Sequence, residues 1–595
     1  SRIFNREKIW YLNRLKSNKS FVWLERKVTR EKSKEILTHR FDGLVILNSP
    51  KRFYPFSEIG SHIIGFTDID NNGISGIEGR FNQHLQGRRG WTILQYDGLG
   101  RTQERPEYPR KEPVNGGSIQ LTIDFTYQTI MQEELSRAVA YTKADRGMGI
   151  IINPMNGEIL AMGTIPAFDP NHPGDYPPEL RKNSVITDIF EPGSTFKIVT
   201  FAAAFEEKTI SPEDIIFCEN GQIDVQGFKI KDAKNWGWLS ARRILENSSN
   251  VGTIKIAQKI GPKLLYKYAR NFGFGSKTGV ALKGEVPGTL KELKEWSALS
   301  LAEIAIGYEI SVTTIQLAYA YAVIANGGFL LKPIIIKSLL DENGNTIRDN
   351  KPVVIRKVIS ESTSKKLKTI LRGAVKRGTG TQAKLSGIDI AGKTGTAHKV
   401  IEGRYAKDKY IASFAGFFPA QNPSILCLII IDNPKTGHYW GGSAAAPVVR
   451  EIFRRIANSP DLMLAGSPDR ESSPSFVTTE PRYNTVTSMN PHAKRTAVRK
   501  SLFLTSKPSY IAGEKDKIKG KKNVEQLSNR TATASESEYV IVPSVKGLSI
   551  RRAISAIIER GLKVKVSGSG IVQRQIPDPG ERVKSNSTCL IEAEP

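Results

Sequence analysis

Apolar residues recur along this chain in two rhythms, and the switches between them mark out its elements. Behind Asp124, an acid suited to cap a first turn, Ile130, Met131, Leu135, Ala138 and Val139 return at helical spacing. The rhythm then changes. Met148-Gly149-Ile150-Ile151-Ile152 and Ile159-Leu160-Ala161-Met162 are short apolar runs around a turn at 153–157, which predicts an antiparallel hairpin. From Ser194 to about residue 330 the pattern predicts mainly helix, including 313–325, stopped by Asn326-Gly327-Gly328. Strand signals return at 388–396, 410–417 and 425–431, and a last helix is expected at 444–456. Helices packed on both sides of an antiparallel sheet describe such a unit.

The flanks read differently. Residues 1–117 mix a charged helical segment at 5–19 with short extended pieces such as Trp91-Thr92-Ile93-Leu94 and a crowd of glycines from Gly73 to Gly100. This is an α+β region whose glycines serve the backbone. Residues 461–538 are rich in Ser, Thr, Pro, Lys and Arg and have few periodic apolar positions, so a flexible basic linker is expected. In the last segment Ile550, Ala553, Ile554 and Ile557 mark an amphipathic helix ended by Gly561. Leu562, Val564 and Val566 alternate as a strand, and Ile571-Val572 begins another. The expected organisation is therefore a multidomain α+β chain divided at 1–117, 118–460, 461–538 and 539–595.

Composition narrows the function only a little. The chain has 595 residues and a formal net charge of +27. That charge suits nucleic acid, an anionic membrane surface or an acidic polymer, and by itself selects none of them. Cys218, Cys427 and Cys589 are odd in number and far apart, so no disulfide framework is implied. No zinc-spaced Cys/His cluster and no Gly-rich phosphate loop occurs, and neither metal nor cofactor is expected. No run reaches the roughly 18 apolar residues of a membrane span. The chain opens at Ser1, without an initiator Met and inside a helical pattern, so it reads as truncated, with an anchor expected upstream.

Chemistry enters at Glu191-Pro192-Gly193-Ser194-Thr195-Phe196-Lys197. A serine at a helix start with a lysine three residues on is a nucleophile with a built-in base. The helix N-terminus adds partial positive charge where an alkoxide would form. Alone, Ser-x-x-Lys recurs by chance in long chains. Here Ser248-Ser249-Asn250 and Lys393-Thr394-Gly395-Thr396 follow in order, and that trio marks serine acyl transfer. Ser194 would attack; Lys197 would take its proton once burial and the nearby Lys393 cation lower its pKa. Ser248 would relay a proton to the leaving amine, and Asn250 would orient either Lys197 or the substrate amide. Gly395 would let a substrate backbone lie against the strand, and the hydroxyls of Thr394 and Thr396 would grip a carboxylate. Backbone N–H groups of Ser194 and Thr396 would form the oxyanion hole.

With these residues in hand the chain resembles the class B penicillin-binding proteins, the peptidoglycan D,D-transpeptidases. Gly378-Thr379-Gly380-Thr381 and Ala391-Gly392-Lys393-Thr394-Gly395-Thr396-Ala397 look like family signatures. Arg52-Phe53-Tyr54-Pro55, Gly65-Phe66-Thr67-Asp68 and Gly76-Ile77-Glu78 are similar to the family's non-catalytic pedestal. Val542-Pro543-Ser544-Val545, Gly547, Ala553 and Pro577-Asp578-Pro579-Gly580 resemble a PASTA domain. The resemblance implies a β-lactamase/penicillin-binding fold for 118–460, a pedestal before it and a PASTA module after it. It also implies a septal, division-specific enzyme that takes peptidoglycan stem peptides and is acylated by β-lactam antibiotics. The expected setting is the bacterial cell membrane, with a single-pass N-terminal helix absent from this chain and an extracytoplasmic, periplasmic body. The implied partners are a septal glycosyltransferase and divisome proteins, and no nucleic acid. The rival readings are a serine β-lactamase and a non-catalytic β-lactam sensor or cell-wall-binding scaffold.

Overall fold

In the computed structural model, residues 2–458 and 539–594 are described, apart from residues 20, 40, 94, 97–101, 104–107, 402 and 569. The expected linker at 461–538 lies outside the described residues. The catalytic unit begins with α1 (Phe125–Thr142), whose cap Asp124 accepts the Tyr127 N–H at 3.1 Å. The antiparallel hairpin β1 (Arg146–Ile152) and β2 (Ile159–Ile165) follows. Next come α2 (Lys197–Glu206), the hairpin β3 (Gln222–Val225) and β4 (Phe228–Lys231), α3 (Ala241–Asn247) and α4 (Asn250–Asn271). Then α5 (Ser300–Ile306), α6 (Thr314–Ala325) and α7 (Glu361–Arg377) lead to the strands β5 (Ala391–Ile401), β6 (Arg404–Phe418) and β7 (Ile425–Asp432), and α8 (Ala446–Ala457) closes the unit.

The central sheet has the order β5-β6-β7-β1-β2 and is antiparallel throughout. The central stretches of β7 and β1, 425–431 and 147–152, are apolar throughout because both faces are covered. Leu426, Leu428 and Ile430 of β7, with Met148, Ile150 and Ile152 of β1, enter the core shared with α2 and α6. The alternate residues Cys427, Ile429, Ile431 and Ile151 enter the core beneath α1 and α8. Period-two alternation thus sorts one strand into two cores. Helix α6 is buried at all of its positions, as its apolar run 317–325 demands, and Thr313 with Gln316 forms its capping box. Helix α8 instead carries an apolar stripe, Val448, Val449, Ile452, Phe453 and Ile456, under an outer face of Arg450, Glu451 and Arg454.

Two expectations need correction. The stretch after Ser194 is not mainly helical: β3 and β4 form a hairpin within it, paired from Val225–Phe228 to Gln222–Lys231. Its two-residue turn, Gln226-Gly227, has positive φ at both positions, the geometry of a type I′ hairpin. Its strands are four residues long and half exposed, so Ile223, Val225 and Ile230 leave only a faint alternation, although all three pack on Ile254 of α4. The N-terminal helix is shorter than 5–19, running Lys8–Leu15. Helix α7 has no counterpart among the expected elements.

The N-terminal region is tied to the catalytic unit by reciprocal hydrogen bonds. Asn171 accepts the Tyr54 N–H at 2.9 Å and donates to the Tyr54 carbonyl at 2.9 Å. Arg52 pairs with the buried Glu78, joining two of the stretches that resemble the pedestal. The C-terminal module has its own core around α9 (Ile550–Glu559) and three strands, β8 (Lys563–Gly568), β9 (Ile571–Ile576) and β10 (Thr588–Glu594). In it β10 lies between β8 (parallel) and β9 (antiparallel). All three cysteines are buried and free. No helix among the described residues is long and apolar enough to cross a membrane.

Candidate active site

Ser194 sits in a single 3-10 turn, Gly193–Thr195, that runs directly into α2. Gly193 has a φ of +53°, and a Cβ there would lie 2.8 Å from the Thr396 carbonyl, so the nucleophile turn lies backbone against β5. Thr195 anchors the turn from inside. Its hydroxyl donates to the Pro192 carbonyl at 2.7 Å, and its own carbonyl accepts the hydroxyl of buried Tyr321 on α6 at 2.9 Å.

Lys197 is fully buried at the first position of α2. Its Nζ donates to the Ser248 carbonyl at 2.6 Å, to Asn250 Oδ1 at 2.7 Å and to Ser248 Oγ at 3.3 Å. The sequence places this amine beside Ser194; the structure aims it at the second motif, and no hydrogen bond joins it to Ser194. Ser248 ends α3 in the left-handed region, φ +61°, an uncommon conformation for a residue with a side chain. Asn250 opens α4, and its amide nitrogen donates to the Lys231 carbonyl at 2.8 Å. Asn250 Oδ1 is thus held on the Lys197 amine, one of its two expected contacts.

Lys393 lies on β5, opposite Ala415 of β6, and is also fully buried. Its Nζ donates to Ser248 Oγ at 2.9 Å and to the Thr394 carbonyl at 3.1 Å. One hydroxyl thus bridges two lysine amines contributed by elements roughly 150 to 200 residues apart in the chain. Burial lowers the Lys197 pKa to about 7, and the negative charge of Asp232 partly opposes that shift. Lys393 is driven well below the usual lysine range, first by burial and then by the charge of Lys197.

The other strand residues show their reasons. Thr394 Oγ1 pairs with Thr379 Oγ1 at 2.7 Å, linking β5 to the Gly378–Thr381 signature. Thr396 Oγ1 accepts the Gly441 N–H at 2.9 Å, which leaves its own proton free to donate. A Cβ on Gly395 would stand 2.3 Å from Ser413 Oγ and 2.8 Å from Thr195 Cγ2. Packing of β5 on β6 and on the nucleophile turn accounts for this glycine without reference to a substrate.

Sequence reasoning missed Asp232. Its Oδ2 accepts the Ser249 hydroxyl at 2.6 Å, and its Oδ1 accepts the N–H groups of Asn250 and of Val251, the latter at 3.1 Å. The β3–β4 hairpin thereby caps α4 and fixes the residues that hold Lys197. The alternation of Phe228-Lys229-Ile230-Lys231 behind Gly227 is the signal that could have located it. Among the described residues no His, Cys, Asp and Glu group is arranged to hold a metal ion.

The chain matches three family models: penicillin binding protein transpeptidase domain at residues 147–454, penicillin-binding protein dimerisation domain at 4–121, and PASTA domain at 540–592. It is 37% identical over 436 residues to the stage V sporulation protein D of Bacillus subtilis, covering 72% of this chain and 67% of that one. To the peptidoglycan D,D-transpeptidase FtsI of Escherichia coli it is 32% identical over 452 residues, 75% of this chain and 74% of the other. A solved structure of penicillin binding protein 3 from Mycobacterium tuberculosis, complexed with aztreonam, is similar with a TM-score of 0.62. That pair is 30% identical, over 68% of this chain and 90% of the other.

Proposed function

The chain belongs to the class B penicillin-binding proteins of the septal type, with a PASTA module, and from that premise we propose that Ser194 is the nucleophile of a peptidoglycan D,D-transpeptidase. The observation that carries this assignment is Ser248 Oγ held between Lys393 Nζ at 2.9 Å and Lys197 Nζ at 3.3 Å. The enzyme cross-links stem peptides during cell-wall synthesis at division, and β-lactams acylate it.

A neutral Lys197 amine has two N–H bonds, which suffice for the Ser248 carbonyl and Asn250 Oδ1. Its lone pair remains to take the Ser194 proton. Ser194 Oγ then attacks the carbonyl of the penultimate D-Ala, with the backbone N–H groups of Ser194 and Thr396 facing the oxyanion. The proton reaches the departing D-Ala amine through Ser248, whose hydroxyl can accept from one lysine and donate onward. The acyl ester is then attacked by an amine of a neighbouring stem peptide, and the same groups run in reverse. Thr396 donates its free hydroxyl proton to the substrate carboxylate. Lys393, Thr394 and Gly395 form the wall of that subsite, and Thr394 acts through its bond to Thr379.

On the same reading the pedestal spans 1–117, the transpeptidase unit 118–460, the linker 461–538 and the PASTA module 539–595. The body stands outside the cytoplasmic membrane on a single-pass N-terminal anchor, beside a septal glycosyltransferase and other divisome proteins. The test is labelling with a fluorescent penicillin followed by peptide mapping. Label is expected on Ser194 alone and lost in Ser194→Ala. Label on another residue, or persisting in that variant, would overturn the assignment.

A further inference from the structure

Three residues before Ser194, Glu191 has no part in the proton path just described. Three ties join this stretch to residues 307–312. The Phe190 and Val312 backbones exchange hydrogen bonds at 3.0 and 2.9 Å, and the Gly193 N–H donates to the Gly307 carbonyl at 3.0 Å. Between them the third tie is a side chain: Glu191 Oε1 accepts the Glu309 N–H at 3.0 Å. Gly307 is in such close contact that a Cβ there would lie 2.0 Å from the Gly193 carbonyl oxygen. Glu309 itself has a φ of +53°, a left-handed conformation that a side-chain-bearing residue holds only when its surroundings fix it. The same Oε1 also accepts the hydroxyl of Tyr405 at 3.2 Å, near the tip of the β5–β6 hairpin, and the Tyr405 ring meets Tyr308 edge-on at 5.8 Å. One carboxyl oxygen thus joins the nucleophile turn, the 307–309 loop and the strand pair that carries Lys393 and Thr396.

We propose that Glu191 is a positioning residue for acylation, its carboxyl pinning the Ser194 turn to the 307–309 loop and, through Tyr405, to the β5–β6 hairpin. The charge around it favours the neutral form. Oε2 is buried and has no hydrogen-bond partner, a poor place for a carboxylate oxygen. The groups facing it are Glu303 on α5, Tyr308 and Glu309 on the loop, and Tyr405 on β6. The neighbouring cation, Lys291, is engaged by Glu309 at 3.2 Å. Burial, helped by the charges of Glu303 and Glu309, raises the Glu191 pKa to about 7 against the hydrogen bonds from the Glu309 N–H and the Tyr405 hydroxyl, which lower it. Ionisation would place a second negative charge beside Glu309 and loosen the clamp.

The inference rests on the acyl-enzyme reading, and the two fail separately. The rate of Ser194 acylation by a fluorescent penicillin is measured against pH and penicillin concentration for the full chain, Glu191→Ala and Glu191→Gln. Glutamine keeps the oxygen acceptor without the charge. Wild type should lose acylation rate just above neutrality. Glu191→Gln should abolish that falling limb, so that the rate levels off above pH 7 instead of declining. Glu191→Ala should slow the acylation step about tenfold or more at every pH while penicillin binding before acylation changes little. A wild-type rate in Glu191→Ala, or a falling limb that survives in Glu191→Gln, overturns the role of Glu191. Absence of label from wild-type Ser194 overturns the acyl-enzyme reading, and this role with it.

Discussion

Lys197 occupies a place that costs the fold stability. An amine held at a pKa of about 7 rather than the ordinary 10.5 is on the order of 5 kcal/mol less willing to carry its proton than in the unfolded chain. The direction follows from proton counting. Between pH 7 and about 10 the unfolded chain keeps this proton and the folded chain does not, so stability rises with pH across that window. Below about pH 7 both states are protonated and the penalty is felt in full. Lys393 acts in the same direction, since its pKa is lowered too. Lys197→Met should therefore flatten the rise in unfolding free energy between pH 7 and 10, read from urea denaturation at several pH values. The same substitution should cut Ser194 acylation by about 10²–10⁴, the usual worth of a positioned proton acceptor. An unchanged stability slope would mean that this amine is not depressed.

At the scale of elements, the site is made by junctions rather than by any one motif. The nucleophile turn opens α2, the second motif spans the gap between α3 and α4, and the third is the middle of β5. The β3–β4 hairpin fastens the second of these through Asp232. Asp232→Ala removes acceptors for Ser249, Asn250 and Val251 and leaves Ser249 Oγ, which accepts the Gly252 N–H at 3.0 Å, to cap the first turn of α4 by itself. It should lower unfolding free energy by about 1–2 kcal/mol and slow acylation, with Asp232→Asn intermediate in both. Thermal melts and labelling rates read the two effects, and a variant equal to wild type in both would exclude the hairpin from the site. Much of this was legible beforehand. The unbroken apolar runs at 148–152 and 425–431 announced the central strands because both of their faces are buried. The three motifs announced their own chemistry because each residue type is tied to a step. Asp232 was not legible, since its hairpin is short, half exposed and paired only to itself. Nor was the direction of the Lys197 amine, because local spacing sets its height on the helix but not which of several acceptors it meets. For Gly395 the sequence suggested room for a substrate backbone; the packing that also demands a glycine there was not legible, because its neighbours Ser413 and Thr195 come from residues distant in sequence.

At the scale of the whole molecule, the bridged site and the PASTA module are built on different cores. Val542, Val545, Ile550, Ile557, Val572 and Ile591 bury one another within the PASTA module, and Phe125 at the start of α1 packs against them. Deleting 539–595 should leave Ser194 acylation within about twofold of wild type, because no residue of the bridged site lies in the module. A larger loss would assign the module a part in the reaction. The lifetime of the acyl-enzyme separates this enzyme from a hydrolase of the same fold. A penicilloyl ester that persists through many times the acylation half-life fits a transpeptidase, whereas rapid release would place the chain among β-lactamases.

The most direct test of the account is the pH dependence of Ser194 acylation, because it asks whether the base is neutral when the serine attacks. The rate constant for fluorescent penicillin should climb with an apparent pKa near 7, and in Glu191→Gln, freed of the falling limb, it should level off above that value. A climb centred near the ordinary lysine value of 10.5, or no climb at all, would contradict Lys197 as the group that takes the Ser194 proton.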